Sequence, residues 1–319
     1  MDYKMCGRFR HLRGYYPDEL NKPTNLDFHN NGKISKYCPS GASGNKKCNT
    51  DLDKINAACL WLFEQNIINR ISDLSNEQLK VFIIYIMIWL NHMLKIKKDD
   101  TINNLNDFYT KYIENNKDYT NCNKDGNDRC NILKDKLGYN NFKEFIKENK
   151  YFMNMDMNII SNFYGVFKSL CNMHTECNAN DPDSIKFSKD IKEFGERYEK
   201  LNEDSNNTDG SSYRQILSIL LNDYDSFKKK YNNAQCCKSA SLPTIKIKKN
   251  IVKSFEPSSE LSSEVTSSSS PIANKLILVL SIFATIPIFL GISYKVNNKE
   301  LKKYFHYIYT NINKQPYSS

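Results

Sequence analysis

The chain has 319 residues, 25% of them charged, a formal net charge of +9 and ten cysteines. Five lysines against Glu300 place +4 after Tyr294. The remaining +5 reads as spread along the chain, which excludes the clustered basic face that nucleic-acid binding needs. Ten cysteines are many for a cytosolic protein and point to an oxidising compartment.

Residues 1–50 read as loop, with Pro17, Pro23, Pro39 and a glycine/serine patch flanked by Cys38 and Cys48. Few apolar residues recur there at any period, so this region is expected to pack onto the domain without forming its core. From Leu52 the pattern changes. Leu52, Ile55, Cys59, Leu62, Phe63 and Ile67 follow the three- and four-residue spacing of a helix burying one face. Asp51 or Thr50 can cap it, and Trp61 lies off the stripe, where a neighbouring helix can meet it. Ser75 and Gln78 have capping-box spacing and open the apolar run 81–90. About 20 residues are needed to span a bilayer, so this shorter run predicts the central helix of the domain, buried on all sides.

Ile102, Leu105, Phe108, Tyr109, Tyr112 and Ile113 mark another helix, followed by a polar stretch holding Cys122. Two shorter helices are predicted at 130–137 and 142–152, with Gly138 ending the first. The segment 157–171 supplies Ile159, Ile160, Phe163, Val166, Phe167 and Leu170. Gly165 within it suggests close approach of a neighbour. Phe187, Ile191, Phe194, Tyr198 and Leu201 form one stripe; Tyr213, Ile216, Leu217, Leu220, Tyr224, Phe227 and Tyr231 form the next. These two predict an antiparallel helical hairpin packed in coiled-coil manner. Strand-type alternation is nearly absent, so the fold class is all-α.

The folded domain is expected to span residues 1–237 and close at Cys236 and Cys237. A serine- and proline-rich stretch, 238–275, lacks the apolar content to fold and reads as a flexible stalk. Residues 276–294, from Leu276 through Pro287 to Tyr294, are 19 uncharged and mostly apolar positions, the length of one transmembrane helix. Proline is tolerated there. Lys275 stands nearly alone before it, whereas the tail 295–319 is basic, so the tail is expected in the cytoplasm and the large domain outside the cytosol. All ten cysteines precede the apolar segment, which agrees. The first residues lack the apolar core of a cleavable signal, so targeting is expected from the single helix or another route.

Candidates for chemistry have duller competitors. Cys171, His174 and Cys177 have zinc-like spacing but lack a fourth ligand, and in a translocated domain their thiols read as disulfide partners. Cys122 and Cys130 read the same way. No glycine-rich phosphate loop, nucleophile elbow or H-E-x-x-H is present. No catalytic residue, metal, cofactor or small-molecule substrate is therefore assigned. The disulfide candidates are Cys6, Cys38, Cys48, Cys59, Cys122, Cys130, Cys171, Cys177, Cys236 and Cys237, with Cys38–Cys48 and Cys171–Cys177 favoured by proximity.

A series of local motifs carries a family resemblance. They are Met5-Cys6, Tyr16-Pro17, Lys36-Tyr37-Cys38-Pro39, Asp53-Lys54-Ile55-Asn56-Ala57, and Cys59-Leu60-Trp61-Leu62-Phe63. Tyr85-Ile86-Met87-Ile88-Trp89-Leu90, Ile159-Ile160-Ser161, Leu201-Asn202-Glu203-Asp204, Cys236-Cys237 and Ile286-Pro287-Ile288-Phe289-Leu290-Gly291 follow. With these the chain resembles the PIR multigene family of malaria-parasite variant antigens, most of all its rodent-parasite branch, over nearly its whole length. The resemblance implies a disulfide-held helical ectodomain, a C-terminal membrane helix in a lipid bilayer, and exposure at the infected-cell or parasite surface. It also implies a role in antigenic variation and immune evasion, with a host-cell receptor or antibody as partner and no catalytic residues. The tail departs from the family in its aromatic cluster, Tyr304, Phe305, His306, Tyr307 and Tyr309. Arg10 and Leu12 match the start of an export motif, but Gly14 breaks it. The alternative reading is an exported membrane scaffold that remodels the host cell, its large domain in a reducing cytosol.

Overall fold

The computed structural model describes residues 1–236 except positions 42, 43, 209, 233 and 235, together with 242, 244 and 245. Cys237, most of the expected stalk, the apolar segment with Leu276, Pro287 and Tyr294, and the tail lie outside the described residues.

Eleven α-helices carry the described fold: α1 (Tyr3–Tyr15), α2 (Gly32–Ser35), α3 (Asp51–Asn66), α4 (Asn76–Ile96), α5 (Leu105–Phe108), α6 (Cys130–Leu137), α7 (Phe142–Glu148), α8 (Lys150–Asn154), α9 (Met157–Glu176), α10 (Ser184–Asn202) and α11 (Ser212–Tyr231). Among the described residues the sheet content is a two-residue hairpin, β1 (Asn123–Lys124) against β2 (Asn127–Asp128). The predicted all-α class therefore holds.

Local chemistry sets the helix ends. Thr50 accepts from the Asp53 amide at 3.0 Å while the Asp53 carboxylate accepts from the Thr50 amide at 3.1 Å, a closed capping box at the start of α3. Ser75 and Gln78 form the same box for α4. Gly138 ends α6 at φ 81°, a left-handed backbone that glycine adopts without a steric penalty. The helix expected at 102–113 is a single turn of α5 continued by a π turn over Tyr109–Ile113. The segment 142–152 breaks into α7 and α8 at Asn149.

Helix α4 is long and apolar enough to cross a membrane by length and composition alone. Its residues 82–91 are nonetheless all buried inside the domain, as predicted for a central helix. Helix α9 packs on α4 and also on α1, α10 and α11. Phe167 of α9 meets Phe9 edge-on with centroids 4.9 Å apart and stacks on Tyr85 at 4.6 Å. The α10–α11 pair does form, with Phe194 stacked on Tyr224 at 4.5 Å. It is not a free-standing hairpin, because α9 supplies a third member through Phe163 against Tyr213 and His174 against Phe227. Near Gly165 the guanidinium of Arg197 comes so close that an added Cβ would lie 2.8 Å from it, the close approach anticipated there.

The N-terminal region departs from expectation. Residues 3–15 form α1, whose Met5, Cys6, Phe9 and Leu12 are fully buried. Asp2 caps it by accepting from the Met5 amide at 2.8 Å and is itself paired with Arg70. The segment thus contributes to the core instead of lying on it. Its apolar face was masked by Arg8, Arg10, His11 and Arg13 on the other side of the same turns.

Four disulfides occur among the described residues: Cys6–Cys171, Cys38–Cys48, Cys122–Cys130 and Cys177–Cys236. Two of the expected assignments fail. Cys171 and Cys177 do not pair, because six residues along a helix separate two side chains by about 9 Å of rise and roughly two-thirds of a turn, beyond disulfide reach. Cys171 instead joins α9 to α1, and Cys177 reaches the end of the domain at Cys236. Cys59 is a free thiol sealed in the core, and burial pushes its pKa up to about 12, which keeps it inert.

Candidate functional site

A cleft of about 670 Å³ lies between the loop after α1, the α4 residue His92, and the facing sides of α9 and α10. A shallower recess of about 300 Å³ shares Asp18, Glu19, Lys168 and Asn172 with it and extends to Arg10 and Lys22.

At its floor lies Asp18, which Pro17 delivers from the end of α1 and which is 3% exposed. Its carboxylate accepts from Lys168 Nζ at 2.8 Å and from the Tyr164 hydroxyl, and Arg13 Nε stands 3.9 Å away. Burial pushes this carboxyl up, but the charges of Arg13 and Lys168 and the two hydrogen bonds outweigh it and hold the group below its ordinary range. Lys168 also reaches Glu19 at 2.7 Å. His92 stacks on Tyr164 with centroids 4.1 Å apart. Its Nε2 lies 2.9 Å from the Asp18 carbonyl, which can only accept, so Nε2 carries the proton and Nδ1 accepts from Ser161 Oγ at 2.8 Å. Burial lowers the His92 pKa and favours this neutral form.

A second polar chain crosses the cleft wall. Arg13 donates to the Asn172 carbonyl oxygen at 3.0 Å, and the Asn172 amide donates to Asp190 at 3.0 Å, tying α1, α9 and α10 together. Arg13 Nη1 and Asp190 Oδ2 have no partner among the described residues. Burial raises the Asp190 carboxyl despite the Asn172 hydrogen bond. The rim mixes signs through Lys186, Lys189, Glu193 and Arg197. Such a surface suits recognition of a polar partner. The Ser161 hydroxyl and both His92 nitrogens are engaged in tying α4, α9 and the Asp18 loop together.

The residues singled out for metal chemistry sit elsewhere. Cys171 and Cys177 are each committed to a different disulfide, so their sulfurs offer no thiolate ligand. Cys122, Asp128 and Cys130 cluster within ligand reach of one another, but the two sulfurs are bonded to each other. His174 lies in an aromatic nest, 4.9 Å from Phe227 and 5.8 Å from Tyr231, with neither ring nitrogen hydrogen-bonded among the described residues. Burial drives its pKa down from 6.5 to about 3. Below pH 6.5 the unfolded chain therefore takes up a proton that the folded chain refuses until about pH 3. Stability is lost as pH falls through that window, by up to about 1.4 kcal/mol per pH unit. His174→Phe is expected to remove about 2 kcal/mol of the stability lost between pH 7 and pH 5, read by urea denaturation at the two pH values. Equal losses in variant and parent would show that His174 is protonated in the fold.

Sequence reasoning missed the cleft entirely. Its groups come from four separate segments, and each reads as an ordinary solvated polar residue until the fold collects them.

A family model described as Plasmodium variant antigen protein Cir/Yir/Bir matches residues 6–295. Comparison with curated proteins gives no match. Among solved structures, one described as the structure of a Plasmodium PIR protein ectodomain is 30% identical. The match covers 76% of this chain and 99% of that one, with a TM-score of 0.50. With the family model matching most of its length and a solved PIR ectodomain 30% identical and covered to 99%, the chain belongs to the Cir/Yir/Bir (PIR) family of Plasmodium variant antigens.

Proposed function

We propose that the chain is a single-pass membrane variant surface antigen. The apolar segment 276–294 anchors it, and the helical domain is displayed outside the cytosol at the infected-cell or parasite surface. There it serves antigenic variation and immune evasion and meets host receptors or antibodies. The observation that carries this reading is the set of four disulfides, all N-terminal to the apolar segment, in a member of a variant antigen family. Pairs of this kind persist in oxidising compartments and are rare in a reducing cytosol. The charged cleft supports receptor contact, since its rim presents both signs of charge over the packed helices α4, α9 and α10.

Protease added to intact infected cells tests the display. The domain is expected to be digested, leaving a short membrane-protected fragment that carries the tail. A domain that survives protease both on intact infected cells and on parasites released from them, until the membranes are permeabilised, would contradict the proposal and favour the exported scaffold.

A further inference from the structure

One carboxylate of the cleft is left half-used. Asp190 lines the cleft from α10, is 6% exposed, and accepts from Asn172 through Oδ1 at 3.0 Å. Its Oδ2 is buried and has no hydrogen-bond partner among the described residues. A buried carboxylate oxygen without a donor is costly, and a charge-assisted donor relieves that cost best.

The cleft's own lysines do not supply that donor. Lys168 is held by Asp18 at 2.8 Å and Glu19 at 2.7 Å, and Lys186 by Glu176 at 2.7 Å. Lys189 is 75% exposed and reaches only Glu193, at 3.9 Å. Burial raises the Asp190 carboxyl, and the Asn172 hydrogen bond and the charge of Lys186 do not offset it. Glu193 and Glu176 add like charge. Asp190 is thus short of positive charge in a cleft that is otherwise paired.

Apolar side chains gather at the same opening. Five large apolar side chains are exposed among the described residues, and three of them adjoin the shallower recess. Leu20, 67% exposed, follows Glu19 of its lining, and Ile185, 85% exposed, precedes Lys186. Leu26 lies against Gly14, where an added Cβ would be 3.4 Å from its Cδ1. Single exposed leucines are ordinary, but three around one polar recess are what a protein contact covers.

We propose that the cleft receives a basic side chain from a polypeptide partner, which donates to Asp190 Oδ2 while apolar residues beside it cover Leu20 and Ile185. The proposal rests on the reading of the cleft as a receptor contact and names the chemistry of that contact. A free small cation would answer Asp190 but leave the apolar side chains in water. Ordered water is the ordinary filling of such a site.

The test uses the full chain in phosphatidylcholine nanodiscs and two fluorescent peptide amides, acetyl-leucyl-arginyl-leucine and the same peptide with citrulline for arginine. Citrulline keeps the shape of arginine and removes its charge. The arginine peptide is expected to bind about tenfold more tightly, the size of one hydrogen bond between charged groups. Asp190→Asn still offers an oxygen to Asn172 and is expected to abolish that preference. Glu148→Gln makes the same change of net charge at an exposed position on α7 and is expected to keep the preference within about twofold of the parent. L20S/I185S is expected to weaken both peptides by about threefold or more and to keep the preference.

Equal binding of the two peptides by the parent chain, or no binding, would overturn the proposal and leave Asp190 to ordered water. That comparison needs no variant, so it stands even where Asp190→Asn loses its thermal unfolding transition. The same loss in Asp190→Asn and Glu148→Gln would reduce the preference to overall charge and overturn it. Acetyl-arginine amide binding as tightly as the longer peptide, or L20S/I185S binding as the parent does, would overturn it in favour of a small cation. Absent peptide binding leaves the display reading intact, whereas a domain protected from protease on infected cells and on released parasites strikes the display reading itself.

Discussion

Replacing Cys6 and Cys171 together by alanine is expected to lower the unfolding free energy of the oxidised domain by about 5 kcal/mol, the upper end of what one disulfide contributes. The reason is topological. The two cysteines are 165 residues apart, so the bridge removes most of the unfolded chain's freedom, and that term grows with the logarithm of the loop. The Cys38–Cys48 bridge closes only 10 residues, and its removal is expected to cost between about 2 and 3 kcal/mol on the same reasoning. Cys6 and Cys171 are also fully buried where α1 meets α9, so losing their sulfurs removes packing as well as the constraint. Urea denaturation of the two double variants checks the ranking. Equal losses would show that the long loop is already compact in the unfolded chain.

Asp18→Ala has the next largest expected effect, about 3 kcal/mol at pH 7. The substitution leaves Lys168, Arg13 and the Tyr164 hydroxyl around an apolar methyl, with two positive charges no longer compensated at the cleft floor. Lys168 retains Glu19 and partial exposure, which keeps the loss at the lower end of the range for a broken buried pair. The pH dependence follows from the lowered carboxyl pKa. The contribution of Asp18 is complete above its unfolded value of 3.8 and is lost as pH falls through the lower folded value. Parent and variant should therefore converge in stability only below about pH 3.8. A gap already closed at pH 5 would mean that the carboxylate is not held by these partners.

Most helices were legible because their apolar residues recur at helical spacing with capping residues in front. Thr50 and Ser75 announce α3 and α4, and Phe194, Tyr198, Tyr224 and Phe227 lie on the stripes of α10 and α11. Helix α1 was not legible, since its buried face rests on Met5, Cys6, Phe9 and Leu12 among arginines, with a cysteine that counted as a bridge and not as core. Cys38–Cys48 pairs as its spacing suggests, but the long-range pairing escaped for a related reason. Nearness in sequence favoured Cys171–Cys177, whereas a helix holds those positions apart and the fold brings Cys6 across 165 residues instead. The cleft needed the fold outright, because Arg13, Asp18, His92, Tyr164, Asn172 and Asp190 share no spacing in the chain.

The most direct test of an oxidised, displayed helical domain is disulfide mapping of the chain taken from infected cells alkylated before lysis. Peptides linking Cys6 to Cys171, Cys38 to Cys48, Cys122 to Cys130 and Cys177 to Cys236 are expected, with Cys59 alkylated only after denaturation. Recovery of these eight cysteines as alkylated thiols without reductant would contradict it.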